Sequence, residues 1–145
     1  MGYMEKGKWW VSPSNYAEEV TSQFNFPEKV EILDTTLRDG EQQPGIIFTR
    51  QDKVKIAKKL AEVGVHRIEA GTPAVSQEDA DAIKEISSLN LGPKTFCFVR
   101  NMVKDMELAK ECGVDGVLAE VPGSEHLLKF GKKWTAEKAI KAAIE

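Results

Sequence analysis

Residues 33–45 read Leu-Asp-Thr-Thr-Leu-Arg-Asp-Gly-Glu-Gln-Gln-Pro-Gly. An apolar, largely β-branched run (Val30, Ile32, Leu33) stops there in a dense set of polar groups. Arg38 and Asp39 are adjacent, and Gly40, Glu41 and Gln42 follow directly. A strand ending in opposite charges and a glycine is poor material for a core. It suits a place where a cation and an anionic substrate are held together at the mouth of a barrel. Taken as an isolated dipeptide, Arg38-Asp39 also reads as a surface ion pair of little energetic value.

Other chemistry-bearing residues fall at comparable places. Glu69 precedes Gly71 and Thr72; Arg100 precedes Asn101; Glu120 lies shortly before Ser124. Glu69 either lines a pocket or pairs with a basic group between strands. Arg100 either binds a substrate carboxylate or phosphate or is a solvated charge. Lys129, Lys132 and Lys133 either meet phosphates or a carboxylate or form an ordinary basic loop.

These residues need elements to position them, and the hydrophobic pattern supplies the elements. A strand is expected at Val30–Thr35 and a helix at about Arg50–Val63. Thr49 and Asp52 form its capping signature, Val54, Ala57, Leu60 and Ala61 its stripe, and Gly64 its stop. A second strand, Arg67–Ala70, leads to a helix at about Gln77–Leu89 with Ser76 and Asp79 at its start and Ala80, Ile83 and Ile86 on one face. A third strand, Thr95–Val99, precedes a helix at about Val103–Cys112. A fourth, Gly116–Val121, precedes a loop from Pro122 to Trp134. A last helix follows Thr135, with Ala136, Ala139, Ile140, Ala143 and Ile144 as its stripe.

The fold class is therefore α/β, built from parallel (β/α) units. Both a doubly wound open sheet and part of a (β/α)8 barrel fit this pattern. Both gather functional groups beyond the C-terminal ends of the strands, where Arg38, Asp39, Gln42, Glu69, Arg100 and Glu120 fall. Residues 1–29 fit the repeat poorly. Their aromatics (Trp9, Trp10, Tyr16, Phe24, Phe26) suggest either an N-terminal arm packed on a larger body or a partly ordered leader.

Composition narrows the classes of function. The 145 residues are 41% hydrophobic and 30% charged, as in one globular unit with a real core. A net charge of −3 gives no electrostatic case for nucleic acid. No apolar run approaches a membrane span, and the N-terminus lacks a basic-then-apolar signal pattern. Cys97 and Cys112 have no framework spacing and read as buried, reduced thiols of a cytoplasmic protein.

The stretch Leu33–Gly45, with Phe48 and Thr49 after it, resembles the first-strand signature of the DRE-type TIM-barrel metalloenzymes. These are the 2-isopropylmalate, homocitrate and citramalate synthases and the 3-hydroxy-3-methylglutaryl-CoA lyases. Softer matches follow at Gly64-Val65, Ile68–Pro73, Phe98-Val99-Arg100 and Gly113–Val117. The resemblance covers about residues 30–145. It implies the N-terminal half of a TIM (β/α)8 barrel, with residues 1–29 as an arm and 30–145 as the first four βα units. A complete barrel takes about 250 residues, so the chain is expected to be a fragment or a truncated product.

The resemblance also implies a chemistry. In the synthases, acetyl-CoA loses a proton and the enolate attacks the keto carbon of a 2-oxo acid held by a divalent metal (Mg, Mn or Zn). Asp39 matches the metal ligand. Arg38 matches the catalytic and substrate-binding partner of the developing alkoxide. Gln42 matches a residue lining the same site, and Gly40 is expected to release the backbone turn. Glu69 and Arg100 are the further candidates for substrate contact. The family completes its metal site with a His-x-His pair on a later strand; His66 and His126 lack that spacing and read as structural or solvated. The segment Gly40–Gly45 resembles synthases more closely than lyases. The expected function is thus acyl transfer from acetyl-CoA to a 2-oxo acid, with the full-length parent a homodimer. A lyase-like activity, or a non-catalytic half-barrel that self-associates, are the alternatives.

Overall fold

A computed structural model describes residues 4–144. The chain divides into two compact units at Val30/Glu31. The first contains a short antiparallel pair, β1 (Met4–Glu5) and β2 (Trp9–Trp10), then a 3-10 turn and the single-turn helix α1 (Glu18–Thr21). Within it, the rings of Phe24 and Phe26 pack at a tilt of 51° with centroids 4.8 Å apart.

The second unit alternates strand and helix. Its order is β3 (Leu33–Asp34), α2 (Arg50–Val63), β4 (Arg67–Glu69), α3 (Gln77–Ser88), β5 (Lys94–Arg100), α4 (Val103–Glu111), β6 (Gly116–Glu120) and α5 (Ala136–Ile144). Local chemistry sets the helix ends. The Thr49 hydroxyl accepts from the Asp52 amide at 3.2 Å while the Asp52 carboxylate accepts from the Thr49 amide, a complete capping box. Gly64 ends the same helix at φ 89°, where a side chain would be strained. The Ser76 hydroxyl caps α3 through the Asp79 amide at 3.0 Å.

The four strands pair in parallel in the order β3-β4-β5-β6. A doubly wound sheet reverses its strand order at a switch point; no reversal occurs here. Successive right-handed crossovers without a reversal place the helices on one face, as in the wall of a barrel. The core lies between helices and sheet. Ala57 of α2, Ile83 and Ile86 of α3, Ile68 of β4, and Cys97 and Val99 of β5 are all at most 2% exposed. Burying such side chains supplies roughly 1.5–3 kcal/mol each for the larger ones, before entropy is counted.

Three expectations need correction. The first strand is regular only over Leu33–Asp34, and Ile32 is exposed. Beyond the short ladder, the Ile32 amide donates to His66 Nδ1 at 3.0 Å and its carbonyl accepts from Arg67. The segment Pro122–Trp134 is not all loop. It holds a π-helical turn, Leu127–Lys132, anchored by buried Leu128 and closed by the Trp134 amide on the Leu128 carbonyl. In the last helix only Ala139 of the expected stripe is buried; Ile140 and Ile144 are 61% and 81% exposed.

Candidate functional site

Arg38, Asp39, Glu41 and Gln42 leave β3 on a tight turn. The amides of Arg38, Asp39 and Gly40 all point at the Thr35 carbonyl, at 3.1, 2.8 and 3.3 Å. Shared donation to one acceptor winds the chain into the 3-10 turn Gly40–Gln42 and fixes where both charges emerge. Gly40 is not what this turn requires. Its φ is not positive, and an added Cβ would meet Thr36 at an ordinary 3.6 Å. The left-handed residue of the segment is Gly45, at φ 85°.

Arg38 is held from three sides. Its Nε donates to Glu69 Oε1 at 2.8 Å, its Nη1 donates to Asp39 Oδ1 at 3.0 Å, and its guanidinium lies 5.0 Å from the Phe98 ring centroid. Glu69 is wholly buried at the end of β4, and its Oε2 has no hydrogen-bond partner among the described residues. A buried carboxylate behind a guanidinium orients the cation and compensates its charge. Glu69 therefore reaches the surface only through Arg38.

A cavity of about 300 Å³ opens beside this pair, walled by Arg38, Glu41, Gln42, Gly71, Thr72 and Asp79 with Ile46, Ile47 and Val75. Groups from the ends of β3 and β4 and from the start of α3 thus converge on one space. Behind two of the wall carboxylates lies Lys53 of α2, only 2% exposed. Its ammonium is 2.6 Å from Glu41 Oε2 and also pairs with Asp79 Oδ1. Lys53 was not among the residues singled out in the sequence, and Asp79 stood there only as part of a capping signature. A signal existed: Lys53 stands one turn before Ala57 and so falls on the buried face of its helix.

Arg100 is placed elsewhere. It is at the end of β5, with its Nε and Nη2 on the two carboxylate oxygens of Asp105 at 2.7 and 2.8 Å. This bidentate pair holds the Asp105 carboxyl below the usual aspartate range and raises the guanidinium further. Arg100 borders a second cavity of about 300 Å³ with Asn101, Glu120, Leu127, Lys132 and Trp134. In the β5–β6 register Arg100 faces Glu120. The structure therefore brings Arg38, Gln42 and Glu69 together and sets Arg100 in a neighbouring cavity, two strands from Arg38 in the sheet.

The donor set has a bias toward a cation. Around the first cavity Arg38 and Lys53 stand against Asp39, Glu41, Glu69 and Asp79, a formal excess of two negative charges. Only Asp39, whose side chain is 65% exposed, is accessible without breaking a buried pair. Among the described residues no three His, Cys, Asp or Glu side chains converge as a metal cage. These residues alone provide one carboxylate ligand and do not fit a complete metal site. His66 accepts from the Ile32 amide before β4, and His126 packs on Phe130 with ring centroids 4.8 Å apart.

Both cysteines are buried free thiols. Burial, with the neighbouring Cys112 and Glu69, pushes the Cys97 thiol up to about 12. No described helix is long and apolar enough to cross a membrane.

Comparison with known proteins adds independent findings. The model of a family described as HMGL-like matches residues 29–145. The chain is 44% identical over 121 residues to a probable 2-isopropylmalate synthase of Ignicoccus hospitalis, covering 83% of the chain and 30% of that protein. It is 37% identical over 137 residues to the homocitrate synthase AksA of Methanothermobacter thermautotrophicus, covering 94% and 34%. It is 47% identical over 119 residues to a putative (R)-citramalate synthase of Methanosphaerula palustris, covering 82% and 23%. The chain spans between about a quarter and a third of the length of these curated relatives.

Proposed function

The chain belongs to the HMGL-like family, and from that premise we propose that it forms the first four βα units of an acyltransferase that condenses acetyl-CoA with a 2-oxo acid. One observation carries the reading. Arg38 is aimed into a cavity at the strand ends by a fully buried carboxylate, with Asp39 exposed beside it. A guanidinium fixed before the substrate arrives stabilises charge that develops on the keto oxygen at little reorganisation cost.

In this proposal Arg38 binds the keto oxygen and its developing negative charge. Gln42 forms part of the cavity wall and can donate or accept a hydrogen bond there. Glu69 holds the guanidinium in place from behind. Arg100, in the second cavity, is positioned for a more distant anionic part of a substrate. Asp39 is proposed as one ligand of a divalent cation such as Mg, Mn or Zn, whose other ligands come from outside the described residues. Such a cation, when bound, supplies Lewis acidity toward the 2-oxo acid. The three relatives above are named as synthases, which supports acyl transfer over lyase chemistry. A role in amino-acid biosynthesis in the cytoplasm, in a homodimeric parent, accompanies this reading.

The test is a turnover assay on the gene product read through to its natural stop codon. Release of the free CoA thiol is followed with acetyl-CoA and a panel of 2-oxo acids. Thiol release that depends on a 2-oxo acid and is lost in Arg38→Met supports the proposal. Cleavage of a hydroxyacyl-CoA without condensation would place the protein with the lyases. Inactivity of a stable dimer of the 145-residue chain, read from a true stop at its end, would favour a non-catalytic half-barrel.

A further inference from the structure

We propose that Lys53 is a positioning residue that clamps the turn bearing Arg38 and Asp39, a reading that rests on the site proposed above. Lys53 is a helix residue, yet its ammonium lies where the exits of β3 and β4 meet the start of α3. It contacts Glu41 Oε2 at 2.6 Å, two residues beyond Asp39, and pairs with Asp79 in the first turn of α3. An added Cβ on Gly71, at the exit of β4, would come within 3.4 Å of Nζ. That distance sets the ammonium against the exit of β4 at ordinary van der Waals contact. The other oxygen of Glu41 accepts from the Phe48 amide at 3.0 Å, so Glu41 also ties the two ends of the 41–48 loop together. Asp79 is itself fixed, its Oδ2 accepting from the Ser76 hydroxyl at 2.8 Å.

The chemistry of this residue goes beyond filling the core. A compact ammonium offers three N–H donors in different directions, so it bridges two carboxylates that belong to separate βα units. Both carboxylates wall the cavity. With the ammonium removed they would face each other and an arriving anion with no compensating charge. Mutual repulsion would then push the Glu41 loop outward and displace Arg38 and Asp39 with it. Lys53 accordingly sets both the position of the turn and the sign of the charge behind the cavity wall, without touching the substrate.

Amide hydrogen exchange on the 145-residue chain tests this directly. In Lys53→Met, amides of residues 38–48 are expected to exchange about tenfold faster or more, while those of β5 residues 95–99 keep their rates, as local opening requires. Glu41→Gln keeps the Phe48 hydrogen bond, removes one arm of the clamp and should give the same local pattern in a milder form. It also secures the test if Lys53→Met does not fold. Equal acceleration of both regions in the variants, or no acceleration in either, overturns the proposal. Turnover by the read-through product separates the two readings. If it has no acyltransferase activity but exchange is local, the clamp stands and the assigned chemistry fails. If it is active, Lys53→Met should lower kcat/KM.

Discussion

Arg38 Nε donates to Glu69 Oε1 at 2.8 Å, and Glu69 is wholly buried while Arg38 keeps 21% of its side-chain surface exposed. The cation faces the cavity and the anion does not. Removing the cation strands a buried charge; neutralising the anion leaves a guanidinium that can still reach water. Arg38→Met is therefore expected to destabilise the chain by about 3 kcal/mol, and Glu69→Gln by about 1–2 kcal/mol. Urea denaturation of the two variants gives the order. The reverse order would mean that Arg38 is not the group that compensates the buried Glu69 carboxylate.

Two glycines in the site should respond differently to alanine. Gly71 has φ 139° and faces Lys53 Nζ and Ile83 Cδ1 at 3.4 and 3.6 Å from an added Cβ. Gly71→Ala is expected to cost more than about 1 kcal/mol, since the positive φ opposes a side chain although the added Cβ would make only ordinary contacts. Gly40→Ala meets only Thr36 at 3.6 Å, without a positive φ, and should change stability by less than about 0.5 kcal/mol. Thermal unfolding of both variants separates a glycine required by geometry from one that merely stands in a motif.

The Arg100–Asp105 pair makes part of the stability pH-dependent. Its hydrogen bonds lower the Asp105 carboxyl in the folded chain, whereas the unfolded residue keeps the ordinary value near 3.8. A depressed acid contributes stability that is fully present above that ordinary value and is lost as pH falls through the folded one. Wild-type stability should thus fall steeply on acidification below about 3.8. Asp105→Asn should be less stable at neutral pH and should show a shallower acid limb in the same titration of urea midpoints. An acid limb as steep as wild type in the variant would remove this pair from the explanation.

Cys97 and Cys112 should be silent toward a thiol reagent in the folded state. Burial raises both thiols, Cys97 to about 12, so almost no thiolate forms at mildly alkaline pH, and access is blocked as well. Titration with a disulfide reagent should find both thiols promptly in denaturant and neither in its absence. Rapid labelling of the native chain would show that β5 and α4 open readily.

Much of the fold was legible along the chain because its causes are local. Thr49 with Asp52, Ser76 with Asp79, and Gly64 lie within a turn of the structure they cap, so residue type and spacing announce them. The polar cluster at Arg38–Gln42 stood out because it interrupts an apolar run. The strand order was not legible from the alternation alone, which fits two windings equally; the family resemblance implied a barrel, and hydrogen bonding between β3, β4, β5 and β6 shows no reversal.

The sequence by itself determined an α/β chain with four strand–helix units and named the charged residues at the strand ends. Tertiary structure decided which of those charges work together. Glu69 lies behind Arg38, Asp105 holds Arg100 at the edge of the second cavity, and the Lys53 ammonium bridges Glu41 and Asp79. The physical reason is that a charge pair depends on distance and burial rather than on residue type. Many carboxylates along the chain were equal candidates for Arg38 and Lys53, and packing of separate βα units left only a few within reach and out of water.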